Sequence, residues 1–132
     1  MKFYARTDTA VRALLFLARE ESADAETIAR SIGIYNFEIE GILPRLLEFG
    51  FVLEKEGRYS LSVHPERIQL YDVVRAAQGD IALVSCLAAD EFCPSEAQER
   101  CVFRACCVEL QGKIVEFLKS RTLFDLREQE QP

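Results

Sequence analysis

The stretch that decides the fold runs from residue 24 to residue 61 and reads DAETIARSIGIYNFEIEGILPRLLEFGFVLEKEGRYSL. Asp24 is a typical helix N-cap, and apolar residues recur at helical spacing from there to Gly33, a residue type that often ends helices. After a short turn, a second helical pattern closes at Gly50 and carries these apolar residues: Phe37, Ile39, Ile42, Leu43, Leu46 and Leu47. Two helices joined by a short glycine-containing turn form a helix-turn-helix.

The end of the same stretch predicts a β-hairpin. Phe51–Glu54 and Arg58–Leu61 are rich in strand-forming residues, and they flank the short connection Lys55-Glu56-Gly57. A hairpin directly after a helix-turn-helix is a wing. Helical spacing also predicts one amphipathic helix before this unit, from Asp8 to Arg19, and one after it, from Leu70 to Ala77. The front of the chain is therefore predicted to be a winged helix-turn-helix.

Cysteines divide the chain into two parts. Residues 1–85 contain none, and all five come later, at Cys86, Cys93, Cys101, Cys106 and Cys107. The turn signal Gln78-Gly79-Asp80 marks the change. We expect residues 1–79 to form the winged helix-turn-helix domain and residues 80–132 to form a cysteine-bearing loop followed by a long dimerisation helix.

The spacing of the cysteines favours an iron–sulfur cluster over zinc. Six residues separate Cys86 from Cys93, and seven separate Cys93 from Cys101. Structural zinc sites usually use close-set cysteine pairs, each sharing one tight turn. Three well-spaced thiolates suit the larger body of a cluster, and a fourth ligand then has to come from elsewhere. An odd number of cysteines also argues against a disulfide framework.

The long dimerisation helix is predicted from about Arg100 to Ser120. Its apolar stripe is Phe103, Cys106 or Cys107, Leu110, Ile114 and Phe117. At this length the helix would measure ~30 Å, more than a small winged-helix domain can cover. We therefore expect the stripe to be buried against a second copy of the chain, giving a homodimer. Thr122 and Asp125 then predict a capping box that opens a last short turn at Leu123–Phe124.

The composition limits the function classes. The 132 residues carry 16 Lys and Arg against 22 Asp and Glu, a net charge of −6, and 49% are hydrophobic, which is enough for one packed domain. No apolar run reaches the roughly 18 residues of a membrane span, and the start has no secretory pattern, so a cytoplasmic protein without a membrane partner is predicted. The single His lies far from the cysteines, so no enzyme is predicted.

Four stretches of the chain occur together in the order and spacing of one known family. They are RTDTAVRALLFLA (residues 6–18), ILPRLLEFGFV (42–52), ERIQLYDVVRAAQGD (66–80) and CVFRACCVELQGKIVEFLKSRTLFDL (101–126). Together they resemble the Rrf2 family of bacterial winged-helix transcriptional regulators over almost the whole chain. The resemblance implies a homodimer that binds operator DNA through the helix-turn-helix and wing. It also implies an iron–sulfur cluster, [2Fe-2S] or [4Fe-4S], near the dimer helices.

The resemblance also implies a ligand set. Cys86, Cys93 and Cys101 match the three cluster cysteines of the family's iron–sulfur members. Arg104 stands where the cluster-biogenesis branch has a histidine, so that branch's fourth ligand is absent. The nitric oxide-sensing branch uses a carboxylate near the amino terminus of the partner subunit, and Asp8 occupies the matching position. An ordinary helix N-terminal carboxylate is the alternative interpretation of Asp8.

Cys106 and Cys107 fall where the family's dimer helix usually has apolar residues. Burial as small hydrophobic side chains is one interpretation. A substitute cluster ligand or a redox thiol is the other, and the sequence leaves both open.

The predicted DNA-reading elements are unusually acidic. Residues 35–40, YNFEIE, contain two acids and no Lys or Arg, and residues 1–62 carry eight Lys and Arg against ten Asp and Glu, a net charge of −2. We therefore expect weak binding at physiological salt. The candidate phosphate contacts on DNA are six cations, which three further residues can supplement: Lys2, Arg6, Arg12, Arg45, Lys55, Arg58, Tyr4, Tyr35 and Asn36.

Two function hypotheses follow. The first is a dimeric transcriptional regulator, such as a repressor, whose cluster senses nitric oxide, oxygen or other oxidants, or iron–sulfur status. The second is a winged-helix protein with weakened or lost DNA binding that acts as a cluster-carrying or protein-interaction module. Salt-dependent operator binding distinguishes the two.

Overall fold

The computed structural model describes residues 2–84, 87 and 101–130. This part of the chain is mainly helical, with three short strands and a 3-10 helix at Pro65–Arg67. The other elements, in chain order, are α1 (Ala5–Arg19), β1 (Ala23–Asp24), α2 (Ala25–Ile32), α3 (Asn36–Glu48), β2 (Val52–Lys55), β3 (Arg58–Leu61), α4 (Leu70–Gln78), α5 (Val102–Lys119) and α6 (Leu123–Gln129). The predicted fold class, a mainly α winged helix, is confirmed.

Helix α1 lies at the centre of the main hydrophobic core. Its most deeply buried apolar residues are Ala10, Ala13, Leu14 and Leu17. They face α2, α3, α4 and α6, and truncating a leucine in such a core to alanine costs about 2–5 kcal/mol. The helix begins at Ala5, earlier than the predicted Asp8. The spacing of apolar residues does not mark the start of this helix, because the buried residues there are the polar Thr7 and Thr9.

Helices α2 and α3 form the predicted helix-turn-helix. Asp24 Oδ1 accepts a hydrogen bond of 2.8 Å from the backbone N–H of Thr27, which confirms Asp24 as the N-cap of α2. Gly33 follows the last residue of α2 with a φ of 73°, a left-handed conformation that glycine adopts without steric cost. The chain then turns directly into α3 at Asn36.

Strands β2 and β3 form the predicted wing. They pair antiparallel, in register from Val52 with Leu61 to Lys55 with Arg58. The turn consists of Glu56 and Gly57 alone, both with positive φ (53° and 80°), as two-residue hairpin loops require. Lys55 therefore belongs to strand β2 and not to the connection.

Strand β1 is a third strand that the sequence does not predict. It pairs antiparallel with β3, so the sheet order is β1-β3-β2. Two residues are too few to show a strand's alternating pattern. The Arg58 guanidinium supports this edge of the sheet, because it donates to the carbonyl of Ser22 at 2.8 Å and to its Oγ at 3.0 Å.

Helix α5 leaves most of its surface uncovered. Leu118 packs with Val74 and Ile81 in a second, smaller core, and Cys107 is the other buried residue of the helix within the described chain. The helix is ~27 Å long at the usual rise per residue. Phe103 and Phe117, both in the predicted stripe, are exposed.

Helix α6 returns to the front part of the molecule. Thr122 forms an isolated bridge with Gln69, and Leu123 is buried in the main core. The predicted capping box is confirmed: Asp125 N donates to Thr122 Oγ1 at 3.2 Å, and Thr122 N donates to Asp125 Oδ2 at 2.9 Å. The helix extends to Gln129 instead of ending as a short turn. None of the described helices is both long and apolar enough to cross a membrane.

Candidate DNA-binding surface and cluster site

The first turn of α3 presents aromatic side chains to solvent. Tyr35 is 72% exposed and Phe37 is 70% exposed, and their rings stack with centroids 5.7 Å apart. Asn36 and Glu40 are exposed in the same turn. In DNA-binding helix-turn-helix proteins, this end of the second helix contacts base edges. Two predicted contact residues, Tyr35 and Asn36, therefore lie together with Phe37, which was not among the predicted contacts.

Glu38 closes the N-terminus of α3. Its Oε2 accepts a hydrogen bond of 2.9 Å from the backbone N–H of Tyr35. Helix N-termini bind anions because their N–H groups are unpaired and the helix dipole is positive there. Here the chain's own carboxylate takes that place, so this turn offers less to a DNA phosphate.

Three predicted phosphate contacts are engaged within the chain, Arg58 through its two bonds to Ser22. Arg12 donates through Nη2 to the carbonyl of Ile32, and its Nη1 lies 3.6 Å from Asp8 Oδ2. Arg45 Nη1 donates to the carbonyl of Ala76 at 3.2 Å. Part of the hydrogen-bonding capacity of these side chains therefore already serves the fold.

The wing combines exposed cations with an acidic edge. Lys55 and Arg58 are opposite each other next to the hairpin turn, and both are exposed. Partial burial raises the pKa of Tyr59, and the carboxylates of Glu54 and Glu40 raise it further. Acids of β2 and α3 therefore lie close to the same tyrosine, and their negative charge opposes DNA phosphates on this face.

The predicted contacts near the amino terminus form a small cluster. Arg6 Cζ lies 4.9 Å and Lys2 Nζ lies 5.9 Å from the centre of the Tyr4 ring. Cation–π attraction of this kind holds both charges near one aromatic face. Lys2, Tyr4 and Arg6 are thus brought together, as phosphate contacts would require.

One side chain ties this segment to the end of α4. Gln78 Nε2 donates to the carbonyl of Lys2 at 3.1 Å, and Gln78 Oε1 accepts from Tyr4 N at 3.1 Å and from Thr7 Oγ1 at 2.5 Å. These bonds connect residues 71 to 76 positions apart. The sequence marks Gln78 only as part of a turn signal, so it does not predict these distant bonds.

Of the predicted cluster ligands, Cys101 and Asp8 lie among the described residues, whereas Cys86 and Cys93 lie outside them. Cys101 is exposed at the N-cap of α5, and its Sγ accepts a hydrogen bond of 3.4 Å from Arg104 N. The Asp8 side chain is 68% exposed. Within residues 2–84, 87 and 101–130, no three His, Cys, Asp or Glu side chains are grouped to hold a metal.

Arg104, three residues after Cys101, has a buried side-chain donor. Its Nε is inaccessible to solvent and finds no acceptor in the described part of the chain. Buried N–H groups in folded proteins almost always have a partner. The sulfur atoms of a cluster bound at Cys101 are suitable acceptors, and hydrogen bonds to cluster sulfurs are common. The Arg104 N–H donor, close to Cys101 in the sequence, therefore fits an iron–sulfur cluster at that cysteine.

The two remaining cysteines differ in burial. Cys107 is buried, and Cys106 is exposed on the same helix. Cys107 thus fits a packed small side chain, while the exposure of Cys106 leaves its thiol accessible.

One family model matches nearly the whole chain. The family model described as "Rrf2: Iron-dependent Transcriptional regulator" matches residues 3–129. The chain is 32% identical over 97 residues to the HTH-type transcriptional regulator NsrR of Bacillus subtilis (strain 168). That match covers 69% of this chain and 66% of NsrR, a little under two thirds of the relative's length.

Solved structures show the same fold. CymR, the global cysteine regulator of B. subtilis, superposes with a TM-score of 0.76 at 23% identity, covering 99% of each chain. T. potens IscR has a TM-score of 0.71 at 20% identity, covering 100% of this chain and 93% of that one. The relatives are transcriptional regulators and not enzymes, as predicted. With a helix-turn-helix, a wing and a family match that extends from residue 3 to residue 129, the chain belongs to the Rrf2 family of transcriptional regulators.

Proposed function

We propose that this regulator is a homodimer whose affinity for operator DNA is set by an iron–sulfur cluster, [2Fe-2S] or [4Fe-4S]. Cys86, Cys93 and Cys101 hold the cluster together with Asp8 of the partner subunit. Residues 1–79 bind DNA, and residues 80–132 provide the cluster loop and the dimer helix. The observation that carries the proposal is the exposed Cys101 thiol at the N-cap of α5, three residues before Arg104, whose buried Nε has no acceptor in the described part of the chain.

Asp8 suits a replaceable ligand. When bound, the cluster supplies iron that can react with nitric oxide or oxygen once a weak oxygen ligand gives way. The carboxylate is largely exposed, and its only ion pair in the described chain, with Arg12, is an exposed one. Such pairs contribute about 0–1 kcal/mol, so Asp8 can exchange partners at little cost.

A chain of contacts connects the cluster loop to the DNA-binding part. Cys101 is the N-cap of α5, and Leu118 near the end of α5 packs against Val74 of α4. Gln78 at the end of α4 holds Lys2 and Tyr4. Because the loop lies between α4 and α5, a change at the ligands acts on both helices and on the amino-terminal contacts. The cluster-loaded and cluster-free states thereby favour different geometries of the DNA-binding domain.

The exposed surface of α5 is an argument for a second subunit in the proposed dimer. Its exposed large apolar side chains are Val102, Phe103, Val108, Leu110 and Phe117. Leu110 and Phe117 line one open groove of about 730 Å³ together with Phe3 of the amino-terminal segment. Apolar surface of this kind usually marks an interface. A second α5 covers it in the proposed dimer.

The cluster is tested by metal analysis of anaerobically purified protein. We expect brown wild-type protein that contains iron and acid-labile sulfide. Cys101→Ser is expected to lose most of both, whereas Cys106→Ser, which changes another exposed cysteine of the same segment, is expected to retain them. Wild-type protein that stays colourless and iron-free after reconstitution would contradict the proposal.

A second candidate function is a cluster-carrying or protein-interaction module with weakened or lost DNA binding. It is favoured by the internal bonds of Arg12 and Arg45 and by the acidic start of α3. The test is the salt dependence of DNA binding. If Lys55→Ala and Arg6→Ala each reduce the salt slope by about one, both residues contact phosphates and this candidate is excluded. Lys119→Ala, which changes an exposed lysine at the end of α5, serves as the control, and a complete absence of salt-dependent binding would favour the module.

A further inference from the structure

Two aromatic rings are exposed at the start of α3, the end of the helix that would face DNA. Tyr35 and Phe37 stack on each other at an interplanar angle of 12°, and most of each side chain remains in solvent. Phe37 has no polar atom with which to bind water or phosphate. Exposing such a ring is unfavourable unless a partner covers it.

The position of the pair identifies the kind of group it contacts. The first turn of the second helix of a helix-turn-helix lies against base edges in the major groove. Most groups there are hydrogen-bond donors or acceptors, and the apolar one is the C5 methyl of thymine. A phenylalanine at this position therefore has one favourable contact on the groove floor, and that contact is a thymine methyl.

The neighbouring residues agree with a T·A pair. Asn36 lies between the two rings in the chain and is exposed. An asparagine amide pairs with N6 and N7 of adenine in the major groove, so one T·A pair presents a methyl for an aromatic ring and an edge for the amide. Glu38 occupies the N-terminus of α3, which disfavours a phosphate at this turn.

We propose that Tyr35 and Phe37 determine operator specificity by contacting thymine methyl groups, with Asn36 on the adenine of the same T·A pair. The inference rests on the proposed DNA-binding function. It assigns a base-reading role to Phe37 and changes the role of Tyr35 from phosphate contact to base contact.

The test begins with selection of binding sites. The full-length protein, with and without its iron, is used to enrich a random duplex DNA library, and the form that binds is kept. Each thymine of the enriched site is then replaced by uracil, which removes only the methyl group. Affinity is expected to fall by about fourfold at each contacted thymine, the scale of one buried methyl group.

A variant then links the methyl to the ring. Phe37→Ala, at a largely exposed position, is expected to weaken binding of the thymine operator and to abolish the difference between thymine and uracil at the contacted position. Phe49→Ala removes a ring that is 49% exposed beyond the other end of α3, and it is expected to keep the full difference.

The outcomes separate the two claims. If the protein selects a site but binds thymine and uracil equally, or if Phe37→Ala keeps the full difference, this inference is wrong and DNA binding stands. A variant that keeps the full difference by weakening both operators equally would show that the ring makes another contact. If no sequence is enriched by either form, the proposed function fails and this inference fails with it.

Discussion

Gln78 is the side chain that ties the amino-terminal segment to the end of α4. Its amide uses both the donor and the acceptor, and all three partners lie in the amino-terminal segment that carries Lys2 and Tyr4. A hydrogen-bonded amide of this kind contributes roughly 1 kcal/mol per bond. The geometry therefore makes Gln78 a positioning residue for the candidate phosphate contacts.

Gln78→Ala is expected to lower operator affinity by about fivefold to tenfold, because the freed segment has to be ordered again on DNA. It is also expected to reduce the salt slope by about one to two, since Lys2 and Arg6 lose their fixed position. Fluorescence anisotropy over a salt series measures both quantities. Gln129→Ala, an exposed glutamine at the end of α6, is the control. Weaker binding with an unchanged slope would show that Gln78 only stabilises the fold.

The sequence predicts local bonds well and distant bonds poorly. Asp24 and Thr122 were identifiable as caps because their partners lie three residues away. The acceptor of Arg45 is 31 positions away, and the partners of Gln78 are still more distant. No spacing rule covers such pairs, so Gln78 and the internal engagement of Arg45 became visible only in the structure.

At the scale of elements, the acidic cap of α2 makes the stability of the helix-turn-helix depend on pH. The hydrogen bonds from the side chain and backbone of Thr27 hold the pKa of Asp24 below its ordinary 3.8. The folded state therefore favours the charged carboxylate. Its contribution is complete above that ordinary value and is lost as the pH falls through the lowered pKa.

Asp24→Asn is expected to remove this part of the acid sensitivity while preserving the cap, because asparagine caps helices without a charge. Urea midpoints at neutral pH and near pH 3 provide the measurement, and the variant should show the smaller difference between them. Asp72→Asn, in the first turn of α4, is the control. An unchanged difference in Asp24→Asn would contradict the role of the charged cap.

Long, periodic elements were predictable, and short ones were not. The helix-turn-helix, the hairpin and α4 follow the predicted patterns closely. Strand β1 and the length of α6 depend on packing: β1 exists because β3 offers it an edge, and α6 extends because Leu123 is anchored in the main core. Tertiary contacts of this kind override weak local preferences.

For the whole molecule, the exposed face of α5 determines the expected assembly. Phe103→Glu places a charge on the proposed interface and is expected to weaken the dimer by about a hundredfold, since a buried unpaired charge is costly. Analytical ultracentrifugation at micromolar concentration measures the change. Leu53→Glu, at a 58% exposed apolar residue of the wing, is expected to leave the dimer intact. A Phe103→Glu protein that remains fully dimeric would contradict this interface.

The charge of the whole chain also follows from its parts. The net charge is −6 in total and −2 in residues 1–62, so the reader is less acidic than the rest. The proposed cations cluster near the amino terminus and at the wing tip, while the start of α3 offers aromatic rings and an amide. An acidic chain can bind an operator in this arrangement, because base contacts then contribute more of the binding free energy than phosphate contacts do.

In the proposed regulator, the iron–sulfur cluster controls DNA binding. The most direct test of this control is the affinity of anaerobic, cluster-loaded protein for its selected operator, measured before and after exposure to nitric oxide, with cluster-free protein as the reference. We expect at least about a tenfold difference between loaded and cluster-free protein, and a shift towards the cluster-free value after nitric oxide. Equal affinity in all three states would contradict the account.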